Sequence, residues 1–205
     1  MLPELIRHGG AMMWLLLLAG AVAVAVFIER VLHYHREQIN SIEFLNGVRN
    51  VLKRDNVVEA ISICDATPGP VARLVKTAIL NRDQGREGIR EALEEAGLVE
   101  VPRLEERLNL LATIAQIAPI MGLLGTVLGF IEVFQILQQQ QGFSASAGQL
   151  AGGVWHALVC TSAGLALSIP CYAGYNYLVS RVNNIVLDME KSSAEILNLL
   201  GEPRK

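Results

Sequence analysis

The chain is short of charge and of aromatic side chains. Of its 205 residues, 18% are charged and 5% aromatic, while 52% are hydrophobic. A soluble domain carries about 25% charge. From 133 to 180 there is no Asp, Glu, Lys or Arg, and Arg7 is the only Lys or Arg before residue 29. These gaps exclude an ordinary water-facing surface over both stretches. A net charge of −3 gives no basic footprint for nucleic acid. Three cysteines are too few for a disulfide framework, and Cys160 and Cys171 would stand about 16 Å apart on one helix, beyond bridging reach. All three read as free, packed thiols. No strand alternation, nucleotide-binding loop or cluster of metal ligands is visible, and His33 and His35 point different ways on a helix, toward solvent. Nothing here calls for a cofactor or an enzyme active site.

What is present alternates between apolar and charged blocks, with a mean hydropathy of +0.38. Residues 11–28 form an apolar run that ends at Glu29-Arg30. It is longer than the usual apolar part of a signal peptide, and basic residues follow closely, so it reads as a retained membrane helix. A second uncharged run covers 108–131 and a third covers 152–179. Each is long enough for a bilayer, which needs roughly 20 residues. The expected fold is therefore an all-α membrane protein with three spans. Basic residues set the orientation. Arg30 and Arg36 follow the first span, Arg103 and Arg107 precede the second, and Arg181 and Lys191 follow the third. Segment 29–107 and tail 180–205 are expected in the cytoplasm. Segments 1–10 and 132–151 are expected on the outer side, giving an N-out, C-in chain.

Segment 29–107 holds 12 Lys/Arg and 14 Asp/Glu and reads as a helical bundle. Val31, Tyr34, Ile42, Leu45, Val48 and Leu52 keep helical spacing, with a break at Gln38. Asp55 or Asn56 caps a short helix running through Cys64. Thr67-Pro68-Gly69-Pro70 is a turn, and Pro70 suits the first turn of a helix over 71–80. Gly85 or Gly88 punctuates before a helix over 89–96. A last stretch, 99–108, is expected to run straight into the second span. In the tail, Leu178, Val182, Ile185, Met189, Ile196 and Leu200 mark one apolar face of a helix that continues the third span. That face is expected to pack on the bundle or on a neighbouring copy.

The second span contains Pro119, Gly122, Gly125, Thr126 and Gly129. On a wheel of about 100° per residue, Thr126 shares a narrow face with Ala115, Pro119, Gly122 and Gly129. On the third span, Thr161 shares a face with Ala157, Gly164, Ser168 and Tyr172, and Pro170 follows. Two readings stay open. Small residues let helices pack closely, with each threonine bonded to a carbonyl one turn back; alternatively, the hydroxyls line a polar path. Asn109, Thr113 and Gln116 form a second polar stripe, suited either to interhelical hydrogen bonds or to a wet vestibule. His156 lies about 140° around its helix from Thr161, so a straight helix cannot aim both at one point. It is either an interface hydrogen-bonding residue or a relay. Glu132 sits at the outer end of the second span. No carboxylate lies deep in any span, so a proton path would take its titrating carboxylate from another chain.

These motifs resemble the MotA/TolQ/ExbB proton-channel family, nearest its ExbB and TolQ branches. The resemblance rests on Thr67-Pro68-Gly69-Pro70, on the run from Ala118 through Gly129, on Ala157 through Ala166, and on Ile169-Pro170 and Tyr175-Asn176. It implies a ring of five copies around a lumen. Two single-span helices of an ExbD/TolR-like partner would occupy that lumen, each bringing an intramembrane aspartate. Flow of protons or sodium ions would then drive mechanical work such as outer-membrane transport or envelope maintenance, through a TonB/TolA-like transducer. The family's lumen threonines match Thr126 and Thr161. The chain departs at His156, where the family commonly carries glutamate five residues before the threonine. The competing reading is a non-conducting membrane scaffold for a single-span partner.

Overall fold

The computed structural model describes residues 10–37, 39–139 and 147–201. The expected outer N-terminus (all but residue 10), the break at Gln38, the centre of the 132–151 connection and residues 202–205 lie outside them. Among the described residues the chain is all helix and turn. Its elements are α1 (Gly10–Glu37), α2 (Ser41–Leu52), α3 (Val57–Ala66), α4 (Pro70–Leu80), a 3-10 turn (Arg82–Gln84), α5 (Gly85–Glu105), α6 (Leu108–Gln139) and α7 (Ala147–Gly201). Helices α1, α6 and α7 are each long and apolar enough to cross a membrane. At 1.5 Å per residue, α7 is about 80 Å long, more than twice the ~30 Å hydrocarbon core, so it carries the third apolar run and the tail as one helix. The chain divides into an apolar unit, residues 1–28 and 107–177, and a charged unit, residues 29–106 and 178–205.

In the apolar unit each helix buries one stripe. On α1 it is Met13, Leu16, Ala23 and Val26; on α6, Leu108, Leu111, Ala115, Ala118 and Thr126; on α7, Ala157, Cys160 and Cys171. Steps of three, four, seven, eight and eleven keep each set on one face. The other faces carry exposed Trp14, Leu18, Ile120, Leu123, Trp155 and Ile169. Apolar exposure on this scale suits lipid or a protein neighbour, and would aggregate in water.

In the charged unit α4 is the most enclosed helix, with Val71, Ala72, Leu74, Val75, Ala78 and Ile79 buried. It packs against α3 and α5. The turn before it explains its own sequence. Gly69 has φ +113, and a Cβ there would stand 2.7 Å from the Glu37 carbonyl oxygen. Only glycine suits that conformation and that approach, and Pro70 then opens α4. Arg73 reaches from α4 to Glu37 at 3.5 Å and to Glu100 at 2.7 Å, and Glu100 also takes Arg103 at 3.1 Å. One guanidinium thus ties the end of α1 to α5.

Several local expectations change. Asn56 caps α3, its side chain accepting from the Glu59 N–H, while Asp55 takes φ +59 at the end of the preceding turn. The stretches expected as separate helices over 89–96 and 99–108 are one helix, α5, that begins at Gly85 and contains Pro102. Nor does that helix run into the second apolar run. It ends at Glu105, and Arg107 turns the chain with φ +65. The cause is tertiary. The Tyr34 hydroxyl donates to the Leu104 carbonyl at 2.5 Å, so this last-turn acceptor is satisfied by a side chain from α1 where the helix stops. The tail face is as expected at Leu178, Val182, Ile185, Met189 and Ile196, all buried; Leu200 is half-buried. The seven-residue gap in that pattern is filled by Ser192, which is buried too. Helices α6 and α7 extend into the 132–151 connection, leaving residues 140–146 between them outside the described set.

Candidate functional site

The residues singled out on the second and third apolar runs meet within one chain. Gly122 and Gly164 make the approach possible. A Cβ on Gly164 would stand 2.5 Å from the Ala118 carbonyl oxygen and 3.0 Å from the Gly122 Cα. A Cβ on Gly122 would stand 2.9 Å from the Cys160 carbonyl oxygen. The obstacles are backbone atoms, so no side-chain rotation relieves them. Gly125 faces Cys160 and Gly129 faces Ala157 in the same way, with added Cβ atoms at 2.7 and 3.0 Å from the partner's Cβ. The two helices run antiparallel, since higher numbers on α6 meet lower numbers on α7.

At this approach the two threonines touch. Thr126 Oγ1 and Thr161 Oγ1 are 3.0 Å apart. Thr126 donates to the Leu123 carbonyl at 2.6 Å, one turn back on its own helix. Thr161 reaches across to the Gly122 carbonyl at 3.1 Å. Thr126 is 9% exposed and Thr161 half-buried, so the pair is closed at Thr126 and open at its Thr161 edge. A hydroxyl both donates and accepts, so two in contact can pass a hydrogen bond between them.

A third polar contact lies two helical turns further along α7. Ser168 donates to the Ala115 carbonyl at 2.6 Å. Pro119, four residues after Ala115, has no N–H to offer that carbonyl. The serine supplies from α7 the bond that proline removes from α6. From the sequence Ser168 is legible only as a small residue on the Thr161 face. The signal for its role is the position of Pro119, read together with the antiparallel register.

The other candidates lie elsewhere. Tyr172, grouped with Thr161 on the wheel, is exposed. Asn109, Thr113 and Gln116 are exposed as well, and Thr113 bonds back to the Asn109 carbonyl at 2.6 Å. His156 is half-buried. It shares its face of α7 with Leu167 and Gly174, eleven and eighteen residues on, to within about 20°. Those two residues meet α1: Leu167 lies against Gly20, and Phe27 lies against Gly174. His156 therefore belongs to the face turned toward the first helix, away from the hydroxyl pair. Glu132 is exposed on α6 and Pro170 is exposed inside α7. Cys64, Cys160 and Cys171 are free, buried thiols. Among the described residues no group of His, Cys, Asp and Glu could hold a metal ion.

The family model of the MotA/TolQ/ExbB proton channel family matches residues 66–191. The chain is 26% identical over 189 residues to a protein of Methanothermobacter thermautotrophicus described as an ExbB homologue in biopolymer transport, covering 91% of this chain and 66% of that protein. It is 32% identical over 182 residues to an ExbB-like biopolymer transport protein of Synechocystis sp., covering 88% of this chain and 71% of the relative. The Tol-Pal system protein TolQ of Haemophilus influenzae is 35% identical over 113 residues, covering 55% of this chain and 49% of TolQ. The chain thus spans about two thirds of the length of the first of these relatives.

Proposed function

Since the chain belongs to the MotA/TolQ/ExbB proton channel family, we propose that it is the ring-forming subunit of an ion-driven motor of the bacterial inner membrane. Five copies surround a lumen that holds an ExbD/TolR-like single-span partner. The charged unit lies in the cytoplasm and the N-terminus outside. The observation that carries this reading is the contact between Thr126 and Thr161 across the α6–α7 interface. Apolar residues surround it along both helices, and no Asp or Glu lies within 108–131 or 152–179. A hydroxyl pair can hand on a proton or shed water from a cation, but it cannot store charge. The storage step needs a carboxylate from outside the chain, which is what a partner helix with an intramembrane aspartate brings. The ion is a proton or sodium, and the load is an outer-membrane transport or envelope task relayed by a TonB/TolA-like transducer. The names of the ExbB-like relatives favour biopolymer transport.

One observation favours the scaffold reading. Both hydroxyls already have backbone acceptors within the chain, so packing alone accounts for them. Thr126→Val and Thr161→Val separate the two readings. Each keeps the side-chain volume and deletes the hydroxyl. In the motor reading, the variants still assemble with the single-span partner, seen by native mass spectrometry, while ion-driven work falls at least tenfold. Full work from both variants returns the threonines to packing and leaves the scaffold.

A further inference from the structure

The apolar unit has two unlike flanks. Helix α1 covers one of them. Met12 lies against Gly125 of α6, Gly20 against Leu167 of α7, and Phe27 against Gly174 of α7. On the wheel, Gly125 is about 100° from Thr126 in one sense, and Gln116 is about 80° from it in the other. On α7, Leu167 and Gly174 are about 120° and 140° from Thr161 in one sense, and Asn176 is about 60° in the other. Because α6 and α7 are antiparallel, equal rotational senses fall on the same side of the pair. Gln116 and Asn176 therefore share the flank that α1 leaves open, with Gln116 about 15 Å along α6 from Thr126. Asn109 and Thr113, about 100° and 140° from Thr126, lie on it too.

Gln116 is the demanding residue. It lies eight residues, about 12 Å, inside the second apolar run from Leu108. Its amide is exposed, and among the described residues it makes no hydrogen bond to another helix. An amide at that depth in hydrocarbon costs several kcal/mol unless it finds a partner. Asn109 and Asn176 are exposed on the same flank, next to residues 107 and 177 where the apolar unit ends in sequence, so the polar groups continue from Gln116 to that end of the span. Contact between Leu111 and Gly174 puts the two asparagines at similar depth.

We propose that this flank is filled with water from the end of the apolar unit at residues 107 and 177 as far as Gln116, and forms the hydrated part of the route along which an ion passes between that end and the hydroxyl pair. The proposal deepens the motor reading and rests on its lumen. Gln116 positions water at the inner end of the route, and Thr126 with Thr161 begin the drier part beyond it.

The test uses the assembled complex in inverted membrane vesicles, without an ion gradient. Gln116→Cys and Ile117→Cys are compared, since Ile117 is exposed at the same depth but turned about 100° away. The probe is a charged, membrane-impermeant methanethiosulfonate, with labelling read at each position by peptide mass spectrometry. The native cysteines are buried and stay in place. The expected result is labelling of Gln116→Cys at least tenfold faster than of Ile117→Cys. Equal rates overturn the proposal, as does oxidative cross-linking of Gln116→Cys between copies without labelling. The outcome is separable from the motor reading. If the two Thr→Val variants keep full work while Gln116→Cys is labelled, the motor fails and the hydrated flank stands. If those variants lose work while Gln116→Cys is inert, only the access route fails.

Discussion

Ser168 on α7 donates its hydroxyl to the carbonyl of Ala115 on α6 at 2.6 Å, and Ala115 is the residue that Pro119 leaves without a helical donor. The proline and the serine are thus a matched pair on different helices. Ser168→Ala orphans a buried acceptor, which costs about 1–3 kcal/mol in general. Interhelical bonds in membranes measure nearer 0.6 kcal/mol on average, so a loss of about 1 kcal/mol is expected. In a Pro119→Ala background the helix supplies its own N–H, and the cost of Ser168→Ala should shrink. A double-mutant cycle on the thermal midpoint of the purified oligomer checks this; strictly additive effects refute the pairing.

Gly164 sets how closely α6 and α7 approach. Gly164→Ala places a Cβ 2.5 Å from the Ala118 carbonyl oxygen, and backbone must move to admit it. Overpacking of this kind costs about 1–3 kcal/mol. Separation of the helices also lengthens the Thr126–Thr161 contact, so function is expected to fall with stability. Gly152, on the same helix, has nothing within 4 Å of its added Cβ. Gly152→Ala is expected to be neutral or to stabilise by up to about 1 kcal/mol. Equal midpoints for the two variants would rule out close backbone contact at Gly164.

Cys64 makes an alkaline signature in the charged unit. Burial pushes its thiol up to about 11, with Asp65 adding to the rise and Lys76 opposing it. Below the ordinary thiol range both folded and unfolded chains hold the proton, and the group leaves stability unchanged with pH. Above it the unfolded chain releases its proton first, so stability falls as pH rises toward about 11. Relative to the native chain, Cys64→Ala should show a shallower loss of stability over that window. At pH 8 the native thiol should alkylate slowly and the denatured one quickly. Parallel alkaline limbs for the two proteins would refute the buried thiol.

Much of this arrangement was legible because its causes are local. The Thr67–Pro70 turn, the Asn56 cap, the tail face and the small faces of the two spans follow from residue type and spacing. The failures have tertiary causes. The end of α5 depends on Tyr34, seventy residues away in sequence, and no periodicity announces it. Helix α5 runs through Pro102 because Leu98, whose carbonyl that proline leaves unbonded, lies on an exposed face with it. Ser192 hides a polar residue inside an apolar stripe, which breaks the pattern without breaking the face. Ser168 could be recognised as a donor only once α6 and α7 were set in register. The two alternatives for the Asn109–Gln116 stripe were equal on a wheel, and only the position of α1 distinguishes its flank from the other.

His156 decides how the ion path is drawn. It lies on the face of α7 that carries Leu167 and Gly174 to α1, about 140° from Thr161. A side chain there is placed to bond within the apolar unit. Glutamine keeps a donor and an acceptor of similar reach, and it cannot take up a proton. His156→Gln is therefore expected to assemble with the single-span partner and to keep at least half of the ion-driven work, with the partner's carboxylate as the carrier. His156→Leu removes the hydrogen bonding as well and should lower the thermal midpoint of the oligomer. Native mass spectrometry for assembly and a gradient-dependent work assay for coupling separate the two effects. An assembled His156→Gln complex with no ion-driven work would put the imidazole on the conduction path and make the α1-facing side of α7 part of it.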